Sequence, residues 1–147
     1  MKVYMDVCCV SRLTDDQSQA RIREEAEAVE LVLAGVRHRT VQLISSEALE
    51  DEVWRNPSIE RRVEALWILS LAAVKVQIDE VIVLRARRLV EAGYGPFDAL
   101  HIACVESAQA NVLLTTDDRL LRQASRGLGR PQVSVQNPVL WIRERSL

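Results

Sequence analysis

The sequence predicts an α/β protein in which a parallel sheet is covered by helices on both faces. Three observations carry this. Short apolar runs of strand length alternate with longer stretches whose apolar residues recur three and four apart. Two of those runs are followed within three residues by acids, at the place where α/β proteins hold their ligands, outside the carboxyl ends of the strands. The chain has 147 residues, 48% apolar and 27% charged, which suits one domain (1–147) with its own core.

Residues 2–5 read as a buried strand through Val3 and Tyr4, and Asp6 follows directly. Residues 7–13 form the next turn, and 14–18 are a polar loop. Residues 20–37 place Ile22, Ala26, Val29, Leu33 and Val36 on one helical face, with Glu24, Glu25, Glu27 and Glu30 as its solvated side. A second strand spans 41–44. Ser45 and Ser46 end it, and Ser46 is placed to cap a helix over 47–55. Asn56-Pro57 stops that helix. Residues 59–73 form another, apolar almost all round at Leu66-Trp67-Ile68-Leu69. That patch is either buried within the chain or a subunit interface.

Residues 74–78 alternate apolar and polar, as in a half-exposed strand near a sheet edge. Asp79 caps a helix over 80–92, and Gly93 stops it. Gly95-Pro96 then opens an almost wholly apolar helix carrying Asp98 in its first turn. A strand at 111–114 leads into Thr115-Thr116-Asp117-Asp118 and a helix over 119–125. A strand at 133–135 and a helix over 138–145 complete the chain.

Four acids stand out. Asp6 and Asp117 follow strands, and Asp98 opens a buried helix. At about 100° per residue, Glu52 projects between Ala48 and the pair Leu49 and Val53, whereas Glu47 and Asp51 point the other way. Each acid has a plainer reading. Asp6 and Asp117 can cap the following turns, Asp98 can compensate a helix dipole, and Glu52 can pair with an arginine. Taken together, four carboxylates in one crevice repel one another, and a hard divalent cation is the simplest remedy. An all-oxygen shell suits Mg²⁺ or Mn²⁺. Metal-assisted phosphodiester hydrolysis follows, with Arg12, Arg21, Arg23, Arg55, Arg119 and Arg122 near that end as candidate phosphate contacts. His101 is three residues after Asp98 and is either a ligand, a base or a satisfied core histidine.

Composition excludes other classes. Aromatics at 4% argue against a base-stacking sheet, and a net charge of −2 gives no global attraction to a polyanion. The three cysteines, Cys8, Cys9 and Cys104, have no zinc spacing and read as free thiols in a reducing cytoplasm. No signal-peptide pattern and no membrane-spanning run is present. There is no serine triad order, phosphate loop or dinucleotide fingerprint.

The chain resembles the PIN-domain family, the fold of VapC-type toxins, over nearly its whole length. The resemblance rests on four motifs in order: Val3-Tyr4-Met5-Asp6, the Ser46-led helix with Glu52, Phe97-Asp98-Ala99-Leu100-His101-Ile102-Ala103, and Leu114-Thr115-Thr116-Asp117. It implies a three-layer α/β/α fold with a five-stranded parallel sheet. It further implies a Mg²⁺ site at Asp6, Glu52, Asp98 and Asp117, and endoribonuclease activity on single-stranded RNA. A homodimer and, for a toxin of a type II pair, a cognate antitoxin that blocks the site are implied as well. Cys8 departs from the pattern: it stands where the family has Ser, Thr or Asn, and a thiol is a poor neighbour for Mg²⁺. Asp118 rivals Asp117 as the fourth acid, and Glu50 rivals Glu52. Two other functions compete with the nuclease. One is a non-catalytic PIN-like module that binds RNA or protein. The other is a phosphoacceptor domain, which would need a lysine near the acids; Lys2 and Lys75, the only two, are poorly placed for it.

Overall fold

The computed structural model describes residues 1–145. Strands β1 (Lys2–Met5), β2 (Gln42–Ser46), β3 (Val74–Val76), β4 (Val112–Leu114) and β5 (Ser134–Gln136) form one sheet in the order β3-β2-β1-β4-β5. Every pairing is parallel, as the alternation of elements predicts. The eight helices of the described residues are α1 (Val7–Ser11), α2 (Ala20–Arg37), α3 (Glu47–Trp54), α4 (Ile59–Leu69), α5 (Glu80–Ala92), α6 (Pro96–Ser107), α7 (Asp118–Ser125) and α8 (Pro138–Arg145). Helices cover both faces, so the central strand β1 is buried on both sides: Val3, Tyr4 and Met5 are wholly buried.

The winding runs from β1 outward to β3, then returns across β1 to β4 and on to β5. The direction therefore reverses between β1 and β4, and a crevice opens at their carboxyl ends. Val3 pairs with Leu43 on one side and Val112 on the other, and Met5 pairs with Leu114. The Asp6 amide donates to the Leu114 carbonyl at 3.1 Å, which carries the β1–β4 ladder to the lip of that crevice. Asp6 and the segment after Leu114 are thereby brought side by side.

Local rules account for most boundaries. Ser46 and Asp79 cap α3 and α5 by accepting from the amides of Leu49 and Ile82. Gly93 ends α5 at φ +120°, a conformation costly for any residue with a Cβ. Several boundaries differ from expectation; β3 ends at Val76 rather than residue 78, and β5 spans Ser134–Gln136 rather than 133–135. Strand β2 runs on through Ser45 and Ser46, because these pair with Lys75 and Val76 of β3. Helix α4 stops at Leu69 rather than residue 73, since the Ala73 amide donates to Leu43 and turns the chain into the sheet. The turn after Asp6 closes as the five-residue helix α1.

The apolar patch on α4 divides between its two expected fates. Ala65, Ile68 and Leu69 are buried in the core. Ile59, Val63 and Trp67, four apart, form an exposed stripe beside the exposed Trp54 of α3. One expectation fails outright. Glu25 is not on the solvated side of α2 but 2% exposed. It accepts from Arg12 Nε at 2.9 Å, Arg21 Nε at 3.3 Å and Asn137 Nδ2 at 2.6 Å. A buried carboxylate persists only with such partners.

Candidate active site

The crevice at the reversal point is a cleft of about 380 Å³. Asp6, Glu52, Asp98 and Asp117 all line it, together with Cys8 and Arg12. The acids come from four separate elements, and each is held by a local rule. Asp6 caps α1, its Oδ1 accepting from the Cys9 amide at 3.2 Å and from the Cys8 thiol at 2.7 Å. Asp117 caps α7, its Oδ1 accepting from the amides of Arg119 at 2.9 Å and Leu120 at 3.3 Å. These two residues cap their helices and also line the cleft. Asp98 stands in the first turn of α6 behind Gly95 and Pro96, which start that helix. Glu52 projects from α3, with Oε1 at 3.0 Å from His101 Nε2.

The electrostatics are those of crowded acids. Burial pushes the Asp6 carboxyl well above the usual range, and Cys8 pushes it further. The sulfur also lies 3.3 Å from Thr115 Oγ1 and accepts from the Thr116 amide at 3.3 Å. Burial raises Asp98 too, and Asp117, Glu52 and Cys8 add to the rise. Among the described residues, no lysine or arginine forms an ion pair with any of the four acids.

The rival acids go elsewhere. Asp118 takes a bidentate fork from Arg21 at 2.9 and 2.8 Å, and that guanidinium holds its carboxyl below the usual range. Glu50 pairs with Lys75 at 2.7 Å on the surface. Four of the six candidate arginines are held by partners of their own. Arg12 remains in the cleft wall, anchored by Glu25 and by Asp15 at 2.7 Å. Arg21 is spent on Asp118 and Glu25, Arg23 on the carbonyls of Gln17 and Ser18, and Arg55 on Asp51.

The donor chemistry fits a hard divalent cation: four carboxylates without a fixed counter-charge, two of them forced upward in pKa. The spacing is not closed around an ion. Among the described residues, no three His, Cys, Asp or Glu side chains are grouped to hold a metal as they stand.

Sequence reasoning missed two members of this region. Glu25 anchors Arg12, and its signal was available: it lies four residues before Val29, on the apolar side of α2. Tyr4 was read as core alone, yet its hydroxyl lies 2.6 Å from His101 Nδ1. No local pattern announces that contact between residues 97 apart.

Comparison with known proteins identifies the fold family. The PIN domain family model matches residues 3–126. No curated protein matches the chain. Among solved structures, the VapBC2 complex of Rickettsia felis bound to a promoter DNA fragment contains a similar chain. It has a TM-score of 0.59 at 13% identity, covering 93% of this chain and 98% of that one. VapBC-1 of nontypeable Haemophilus influenzae is similar at a TM-score of 0.59 and 17% identity, covering 94% and 98%. PAE2754 of Pyrobaculum aerophilum follows at 0.55 and 16%, covering 100% and 91%. At such identities the likeness is one of fold.

Proposed function

This chain belongs to the PIN-domain family, and from that premise we propose that it is a Mg²⁺-dependent endoribonuclease acting on single-stranded RNA, the toxin of a type II toxin-antitoxin pair. The observation that carries the reading is the cleft itself: four carboxylates from four elements, with no arginine or lysine neutralising them among the described residues. Asp6, Glu52, Asp98 and Asp117 would hold the cation, with Mn²⁺ as an alternative to Mg²⁺. When bound, such a cation supplies Lewis acidity toward a phosphoryl oxygen and lowers the pKa of water.

The chain's own groups do the rest. Arg12 is the cation of the cleft wall. Glu25 and Asp15 hold its Nε and one terminal nitrogen, which leaves the other terminal nitrogen to donate to a substrate phosphate. Affinity for RNA rests on local groups of this kind, given the net charge of −2.

The relatives in solved structures include VapBC complexes, which supports a cognate antitoxin that blocks the cleft. The exposed stripe Ile59, Val63 and Trp67 with Trp54 supports a homodimer through α4. No helix of the described residues is long and apolar enough to cross a membrane, and a cytoplasmic site of action is part of the proposal.

A second reading has its own support. Cys8 in the cleft and the lack of a ready-made metal grouping favour a PIN-like module that binds RNA or protein without cleaving it. Calorimetric titration with Mn²⁺ separates the two. Binding by the wild type, together with Mg²⁺-dependent RNA cleavage that disappears in Asp98→Asn, supports the nuclease. No heat up to millimolar Mn²⁺, or undiminished cleavage by Asp98→Asn, overturns it.

A further inference from the structure

His101 is 1% exposed, and both its ring nitrogens are engaged. Nδ1 lies 2.6 Å from the Tyr4 hydroxyl and Nε2 lies 3.0 Å from Glu52 Oε1. The Tyr4 oxygen is in turn 2.7 Å from Ser46 Oγ, and Ser46 Oγ accepts from the Leu49 amide at 3.0 Å. Leu49 and Glu52 both belong to α3. The bonds therefore leave α3 at its amino end, pass through β2, β1 and α6, and return to α3 at the acid that faces the cleft.

The hydrogens can be assigned around this loop by accounting for each group. The Leu49 amide can only donate, so it occupies one Ser46 lone pair. The Ser46 hydroxyl hydrogen then goes to the Tyr4 oxygen, its one acceptor among the described bonds. Tyr4 keeps its own hydrogen, as a phenol does at neutral pH, and donates it to Nδ1, 2.6 Å away. Nε2 carries the ring hydrogen and donates it to the Glu52 carboxylate. Every bond points the same way, toward Glu52, and such chains reinforce one another in a buried setting. The ring plane is fixed as well: Phe97 stacks on it at 6.2 Å between centroids, and Tyr4 lies against it at 5.6 Å.

We propose, resting on the metal-dependent reading above, that His101 is a positioning residue: the loop Leu49–Ser46–Tyr4–His101 pins one oxygen of Glu52 and presents the other to the cation. A free glutamate at the cleft edge would sample many rotamers. Held by Nε2–H, it keeps one orientation without touching substrate through His101.

The test compares wild type, Tyr4→Phe, His101→Leu and His101→Gln. Mn²⁺ affinity is read from the electron paramagnetic resonance of unbound Mn²⁺, and the ring hydrogen of His101 from ¹⁵N correlation spectra. Wild type should show the Nε2–H tautomer. Losing a support of this kind weakens metal affinity by roughly 10- to 100-fold. His101→Leu should fall in that range, and Tyr4→Phe near its lower end. His101→Gln, which retains an N–H donor, should recover most of the loss. Should His101→Leu fail to fold, Tyr4→Phe, which removes a single oxygen, carries the comparison. Unchanged Mn²⁺ affinity in Tyr4→Phe and His101→Gln alongside an equal value in His101→Leu overturns the inference. A wild type that takes up no Mn²⁺ overturns the metal reading instead. The ring nitrogens then decide alone: Nδ1–H in the wild type refutes the loop, and Nε2–H supports it.

Discussion

Replacing Asp98 by Asn should make the metal-free protein more stable at neutral pH while abolishing cleavage. Asp98 is partly buried, accepts no hydrogen bond from the described residues, and shares the cleft with Asp6, Glu52 and Asp117. Burial, then its acidic neighbours, raise its carboxyl above the ordinary value of 3.8. The folded state thus binds this proton more tightly than the unfolded chain does. The stability Asp98 contributes is fully present below pH 3.8 and is lost as pH rises through the raised folded pKa. At pH 7 the wild type carries that whole penalty, and the isosteric amide carries none. Relieving an unfavourable charge of this kind typically gains about 0.5–2 kcal/mol. For a chain of this size, about 1 kcal/mol moves Tm by roughly 2–4 °C.

The assay is thermal unfolding in chelator across the range from acid to neutral pH, repeated with Mn²⁺. The Asn variant should melt higher at pH 7, and its advantage should shrink as acid protonates the wild-type carboxyl. Saturating Mn²⁺ should reverse the order, since a ligand at a hundredfold excess over Kd stabilises its binder by about 2.7 kcal/mol. A lower Tm for Asp98→Asn at pH 7 in chelator would refute the reasoning. So would an advantage independent of pH.

Three further outcomes follow from the structure. Glu25→Ala strands Arg12 and Arg21 beside a buried hole and should destabilise the fold by about 3 kcal/mol in urea titration; a loss below the error of the method would mean that the buried ion pairs of α2 are idle. Cys8→Ser replaces a thiol by a hard oxygen beside Asp6 and should tighten Mg²⁺ by roughly tenfold while weakening Cd²⁺, both read by calorimetry. Trp67→Glu alters an exposed position, so unfolding should shift by no more than about 0.5 kcal/mol, whereas light scattering should show loss of the proposed dimer.

Much of this molecule is written in short-range patterns. The repeat of apolar residues in 20–37 marks α2 to the residue, and Asp79 and Gly93 mark both ends of α5, because caps act within one helical turn. The same arithmetic turns Glu52 inward on α3. Applied to α2 it would also have found Glu25, whose burial was legible but read as surface charge. Parallel pairing follows from alternation, since strands joined through helices run the same way. What the chain order cannot express is which groups meet. Asp117 rather than Asp118 enters the cleft because Arg21, on α2, takes Asp118. Tyr4 reaches His101 because β1 lies between β2 and β4 beneath α6. Trp67 faces outward because α4 spends its other side on the core. Periodicity and capping are properties of a few neighbouring residues and survive in the linear text. Hydrogen bonds and ion pairs across the chain depend on strand order and register, which arise only when the sheet is assembled.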